Sequence, residues 1–322
     1  MNSNLTFILN GAAGCDDKLK AKEVIEKICA DRGVTGQVLV AKSGAEILEF
    51  ARKAAGEKKD ALIAGGGDGT VNAVASALAG SEIPLGILPL GTLNHLAKDL
   101  KIPLKLEEAV ANVFDGRIEH IDVGEVNGHI FLNNSSLGLY AQIVEQRERQ
   151  QRLGSWKWVA FVRAARSVLK RHPSMVLRLI VDGQSQLRRS SLVFVGNNQY
   201  EAEGLRLGTR EKLNSGQLSL YVAQTASRAD ILKVVIAAFF KQIERTGKLE
   251  MTSARQVEVN LSRKQLRVAT DGEVCLMAPP LNYSIRPGAL AVIVPEPAPA
   301  AAPALSQKES SGGAARTEAG KS

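Results

Sequence analysis

Cysteine is scarce in this chain. Cys15, Cys29 and Cys275 lie far apart, too few and too scattered for a disulfide framework or a zinc site. Residues of this kind serve as small buried fillers in a reducing compartment. His95, His120, His129 and His172 show no metal-ligand spacing. Aromatic residues make up 4% of the sequence, which argues against recognition by stacked bases or an aromatic cage. The longest apolar run, residues 234–240, is far below the roughly 18 residues that cross a bilayer. The first residues, Met-Asn-Ser-Asn-Leu-Thr-Phe-Ile-Leu, have no basic cluster and no long apolar core, so no signal peptide is expected. These absences point to a cytoplasmic protein, soluble or peripheral to the inner face of the membrane.

What is present is a globular composition with a positive excess. Hydrophobic residues make up 45% of the 322 residues, enough for two domains or one large one. Lys+Arg 41 against Asp+Glu 33 gives +8, a charge that favours phosphate compounds, nucleic acid or an anionic membrane. Residues 296–322 are rich in Ala, Pro, Ser and Gly with balanced charges, and are expected to form a disordered tail.

The first 120 residues alternate short apolar runs (5–9, 37–40, 61–64, 85–88) with helical patterns (18–32, 45–55, 71–79). That alternation predicts a parallel sheet covered on both faces. From about Glu119 the pattern changes. Asn127-Gly128 separates 121–126 from 129–133, and Asp182-Gly183 follows 176–181, both signals for type I′ hairpins. Further strand-like runs are 192–196, 218–223, 257–261, 266–269 and 289–294, with helical segments at 156–170 and 229–245. The second half reads as a mostly antiparallel β domain.

Gly65-Gly66-Gly67-Asp68-Gly69-Thr70 falls between a buried strand and a helix. Ligands of parallel sheets bind beyond the carboxyl ends of the strands. Glycines there permit positive φ and let a phosphate touch the backbone, and the amides opening the next helix face its oxygens. Asp68 adds a carboxylate suited to Mg²⁺, and Thr70 a hydroxyl. The run is neither a dinucleotide fingerprint nor a Walker A loop. Four glycines, an Asp and a Thr exceed what a simple turn needs. A second strand-turn-helix, Pro89-Leu90-Gly91-Thr92-Leu93-Asn94-His95, should open at the same sheet edge. Thr92 and Asn94 there could serve as polar contacts or as helix caps. Far along the chain, Asp271-Gly272-Glu273 follows a strand. In isolation it is a β-turn, but phosphoryl transfer needs a carboxylate to orient an acceptor hydroxyl and take its proton.

Together, Asn10-x-x-x-Gly14, Gly65–Thr70, Pro89-Leu90-Gly91-Thr92-x-Asn94, Asn133-x-x-x-x-Gly138, Asp271-Gly272-Glu273 and Arg286-Pro287-Gly288-Ala289-Leu290 resemble the lipid kinase family of diacylglycerol, sphingosine and ceramide kinases and bacterial lipid kinases. The likeness runs over about residues 5–295. It implies an α/β nucleotide-binding domain with a parallel sheet (1–122), a β-sandwich lipid-substrate domain (123–288) and a closing strand (289–295). It implies ATP on Asn10, Gly14, Gly66, Gly67, Asp68, Gly69, Thr70, Thr92 and Asn94, with Mg²⁺ near Asp68. Glu273 would act as base on the lipid hydroxyl, and Asp271 would orient the site or bind metal. His95 stands where the family commonly has Asp, and Gly11 where it usually has Pro. A Thr often found near the second strand is missing around Val40-Ala41-Lys42. Leu213-Asn214-Ser215-Gly216 lacks the acidic residue that some bacterial relatives use for a structural Mg²⁺ site, so that site is expected to be absent.

A lipid must be met at a membrane. Arg147, Arg149, Arg152, Lys157, Arg163, Arg166, Lys170 and Arg171, near Trp156, Trp158 and Phe161, make the basic segment 147–171 a candidate dock for anionic lipid. A solvated basic face is the plainer alternative. No nucleic-acid partner is expected, since no recognised module appears. An exposed sheet edge offers a route to a homodimer. The competing functions are an inert nucleotide or lipid sensor, for which His95 is the main support, and a kinase of a soluble acceptor in the manner of NAD kinases.

Overall fold

The computed structural model describes residues 4–11, 15–57, 59–138, 175–200, 210, 212–223 and 249–297. The helical segments expected at 156–170 and 229–245, the basic segment 147–171, Gly14 and nearly all of the tail lie outside these residues.

The amino-terminal part is an α/β domain. Strands β1 (Asn4–Asn10), β2 (Thr35–Ala41), β3 (Ala61–Gly66) and β4 (Leu85–Pro89) run parallel in the order β2-β1-β3-β4. The apolar runs of β1, β3 and β4 are buried on both faces, as a helix-covered parallel sheet demands, while the edge strand β2 is mostly half-buried or exposed. One face packs Ile8, Leu62 and Ile87 against Ile47 and Ala51 of α2 (Gly44–Gly56), Val71 and Val74 of α3 (Asp68–Leu78) and Leu96 of α4 (His95–Asp99). The other packs Phe7, Leu9 and Ile63 against Ile25 and Cys29 of α1 (Cys15–Asp31) and Ala109, Val110 and Val113 of α5 (Leu106–Asp115). Each large side chain so buried contributes about 1.5–3 kcal/mol. Helix α2 opens on an N-cap: Ser43 Oγ accepts the Glu46 amide at 3.2 Å, and the Glu46 carboxylate accepts the amide of Lys42, just before the cap, at 2.7 Å. Helix α5 has no counterpart in the sequence expectations. Its N-cap is Lys105, which makes no side-chain cap bond, so the usual start signal is missing.

The second part is a β-sandwich. Its strands are β5 (Arg117–Val126), β6 (His129–Phe131), β7 (Asn134–Gly138), β8 (Met175–Val181), β9 (Gln184–Ser190), β10 (Leu192–Asn197), β11 (Leu218–Ala223), β12 (Leu249–Ala254), β13 (Gln256–Asn260), β14 (Leu266–Thr270), β15 (Glu273–Met277) and β16 (Leu281–Val294). One sheet runs β12-β11-β10-β7-β14-β15. Its inner face, with Leu137, Val193, Val195, Leu220 and Val268, packs on Val126, Leu179, Val257, Val259 and Tyr283 of the other sheet. The apolar runs did not announce four strands: β9 and β12 (Gln-Ser-Gln-Leu-Arg-Arg-Ser and Leu-Glu-Met-Thr-Ser-Ala), which are polar edge strands of the two sheets, β7 in the middle of one sheet and β15 at its edge.

The two parts share a sheet. β16 pairs antiparallel with β5 from Tyr283↔Val126 to Val294↔Arg117, shifts register between Arg286 and Leu290, and meets β4 in parallel at Val292↔Leu85. The parallel sheet therefore continues into one layer of the sandwich.

Candidate active site

The first loop is built by close backbone approach. Gly67 is the N-cap of α3, and the Thr70 and Val71 amides bond to its carbonyl. None of Gly65, Gly66, Gly67 or Gly69 has positive φ, which corrects the conformational part of the sequence reading. These positions are glycine because of what surrounds them. A Cβ on Gly65 would strike Leu9 Cδ2, and one on Gly66 would strike the Thr70 side chain. A Cβ on Gly91 would come within 2.3 Å of Gly67 Cα, so the two loops cross with only hydrogen between them. The Leu90 amide bonds to the Gly66 carbonyl at 3.1 Å and fixes the crossing.

The polar side chains divide into holders and faces. Thr70 is buried, and its Oγ1 accepts the Asn10 amide group at 3.2 Å. Asn94 is buried in the left-handed region (φ 50) and ties the second loop together, donating to the carbonyls of Pro89 and Gly91 and accepting the Gly91 amide. Thr92 and Gly69 are exposed, and Asp68 is half-buried. Asp68 Oδ1 accepts the backbone amide of His95 at 2.8 Å. That bond uses the main chain of residue 95, so it does not depend on the side chain there. Gly11 donates its amide to Ala41 at 2.6 Å, a bond that the proline usual at this position could not make.

The third element is a hairpin turn. Asp271 and Gly272, at φ 48 and 92, link β14 to β15, with Thr270 opposite Glu273. The Asp271 carboxylate is walled in by donors: the amides of Leu132 (2.7 Å), Asn133 and Asn134 (2.9 Å each) and the side chain of Asn72 on α3 (2.5 Å). Burial pushes its pKa up from the ordinary carboxylate value, while those three amides and the Arg210 guanidinium pull it down. The turn is thereby fastened to α3 one helical turn beyond Asp68. The far end of α3 is also held, since Arg286 donates to the Ala79 carbonyl at 3.4 Å. This docking sets Glu273 over the first loop: a methyl on Gly69 would lie 3.2 Å from Glu273 Oε1. Residues about 200 positions apart in the chain thus face each other, and Leu90 and Leu93 of the second loop are exposed.

Several residues of the site have no signal in the sequence. Asn72 is one. Arg210 and Asp99 form a fully buried ion pair (2.8 Å). Burial pushes the Asp99 pKa up, and Arg210 opposes it. Asp122 holds the amides of Gly216 (2.6 Å) and Gly288 (2.9 Å), while Asn198 Oδ1 accepts the amide and hydroxyl of Ser215. The Leu213–Gly216 stretch is thus fixed by direct hydrogen bonds.

Two glycine-bearing strand-to-helix loops with a carboxylate set over the first of them, on an α/β domain joined to a β-sandwich, make the arrangement expected of a phosphotransferase. Residues 4–126 match the family model "Diacylglycerol kinase catalytic domain", and residues 135–294 match "YegS C-terminal NAD kinase beta sandwich-like domain". A "Probable lipid kinase YegS-like" of Pectobacterium atrosepticum is 31% identical over 76% of this chain and 82% of that protein. A "Diacylglycerol kinase" of Mycobacterium tuberculosis is 27% identical over 90% of this chain and 95% of that protein. A solved diacylglycerol kinase structure from Bacillus anthracis str. Sterne shares the fold, with TM-score 0.66 and 22% identity over 91% of this chain and 97% of that one. The chain belongs to the family of diacylglycerol kinases and YegS-like lipid kinases. Among the described residues, no helix is long and apolar enough to cross a membrane.

Proposed function

We propose that this protein transfers the γ-phosphoryl group of ATP to a hydroxyl of diacylglycerol or a related lipid. The observation that carries the reading is the position of Glu273 over Gly69. The Gly67–Gly69 backbone at the opening of α3 would receive the triphosphate, as helix openings receive anions, the Thr70 and Val71 amides being taken by the Gly67 carbonyl. Glu273, on the opposite side, would accept the proton of the attacking hydroxyl. Asp271 would act as the brace of that carboxylate, because its own oxygens are taken by N–H donors. The donor set fits Mg²⁺: Asp68 spends one oxygen on the His95 amide, and kinases hold this ion by one or two carboxylates plus phosphate oxygens and water. When bound, the ion would neutralise charge on the transferring phosphate.

The hydroxyl donor is membrane lipid, so the enzyme must meet a bilayer. Segment 147–171 supports docking on anionic lipid by its charge. Reversing Arg163, Arg166 and Lys170 to Glu is expected to reduce sedimentation with anionic liposomes, and unchanged binding would discard that role.

The test of the reaction is direct. Purified protein is incubated with labelled ATP, Mg²⁺ and mixed lipid extract. Labelled lipid is expected from the native chain and none from Asp68→Ala, with the variant still folded. Full labelling by the variant would remove Asp68 from the mechanism.

A further inference from the structure

We infer that Arg210 is a positioning residue that sets the separation between the Asp68 loop and Glu273; the inference rests on the roles proposed above for those two. Its side chain is fully buried; it donates four hydrogen bonds, and Nη2 also lies in an ion pair with Asp99. Nε and Nη2 reach Asp99 Oδ2 at 2.9 and 2.8 Å, and Nη1 reaches the carbonyls of Leu132 (2.5 Å) and Asn197 (3.0 Å). Nη2 also reaches Asn133 Oδ1 at 2.9 Å, while the Tyr200 ring lies under the guanidinium and its hydroxyl donates to the Asn133 carbonyl at 2.9 Å.

Those acceptors lead both to the Asp68 loop and to the turn carrying Glu273. Asp99 ends α4, and α4 begins at His95, whose amide is bound by Asp68. Leu132 and Asn133 supply two of the amides that hold Asp271, and Asp271 aims the turn carrying Glu273. A rigid path therefore runs from Asp68 through α4, Asp99, Arg210 and the Leu132–Asn133 backbone to Asp271. A second path runs from Asp68 along α3 to Asn72 and Asp271. Together they join Asp68 to Asp271 by two independent routes. The bonds leave from three nitrogens held in one plane, and a lysine, whose three donors sit on a single nitrogen, cannot reproduce that spread.

The test uses the full chain. Replacing the pair by apolar side chains, Arg210→Met with Asp99→Leu, removes both buried charges, which folded proteins often tolerate. Transfer to diacylglycerol in mixed micelles is measured with ATP varied, and hydrogen exchange is followed in peptides covering 130–134 and 266–277. The expected result is an ATP KM within about twofold of native, a kcat about 100-fold lower per folded molecule, and faster exchange in both peptides. Arg210→Lys should fall between, at about a tenfold loss of kcat, and decides the matter if the double variant does not fold. A folded variant with native kcat and native exchange overturns the inference. An inactive native chain whose variants still show loosened peptides would sink the proposed reaction and leave the positioning role standing.

Discussion

The β8–β9 and β14–β15 hairpins reverse through the same dipeptide. Asp182-Gly183 has φ of 45 and 85, and Asp271-Gly272 has φ of 48 and 92. Both aspartates do the same local work, accepting backbone amides from a neighbouring segment: Arg255 and Gln256 for Asp182, Leu132 to Asn134 for Asp271. The difference lies in what they are docked against. Asp182 joins strands of one sheet at the surface. Asp271 is also bonded to a helix of the other domain, and so carries the residue after its glycine, Glu273, to the loop that opens α3. The same turn signal closes a hairpin in both places, and in one of them it also sets Glu273, the proposed base, against another domain. The distinction is tertiary.

Parallel changes in the two turns sharpen this contrast. The largest effect is expected from Glu273→Gln, which should lower transfer to lipid by about 10²–10⁴-fold with an unchanged melting temperature. The matching change next to the other turn, Gln184→Glu, should alter neither quantity. Next is Asp271→Asn, which places an NH₂ group among N–H donors. It should cost about 1–3 kcal/mol in urea denaturation and at least about tenfold in kcat. Asp182→Asn should cost under about 1 kcal/mol and leave kcat alone, because its bonds are exposed. Smaller still is Gly69→Ala, whose methyl would press on Glu273 Oε1 and is expected to lower kcat several-fold, up to about tenfold. Gly183→Ala meets no neighbour but keeps a left-handed φ, so it should cost about 1 kcal/mol of stability and no activity. Equal losses of activity from both members of any pair would break the comparison.

What could be read from the chain follows the same line. The parallel strands and the first loop were legible because their signals are local: Ala61–Gly66 is an apolar run, and the glycines and Asp68 follow it directly. Helix α5 and strands β7, β9, β12 and β15 were not: α5 lacks a cap signal, β9 and β12 lie at polar edges, and β7 and β15 are five-residue strands beside stretches read as a strand (129–133) and a turn (271–273). Of the site, Glu273 was found through resemblance, because on its own Asp-Gly-Glu reads as a turn. Asn72, Asp99 and Arg210 left no trace, for their partners are 199, 111 and 77–111 residues away or brought near only by folding. Thr70 and Asn94 were legible as site residues, yet the structure uses their side chains to hold the loops.

The central claim is that one crevice holds the triphosphate between the Gly67–Gly69 backbone and Glu273. A crystal structure with a non-hydrolysable ATP analogue and Mg²⁺ tests it most directly. The account predicts the terminal phosphate against the opening of α3 with Glu273 on its far side, within reach of an acceptor hydroxyl. A triphosphate bound elsewhere, or a Glu273 carboxylate turned away from it with no path between them, would contradict it.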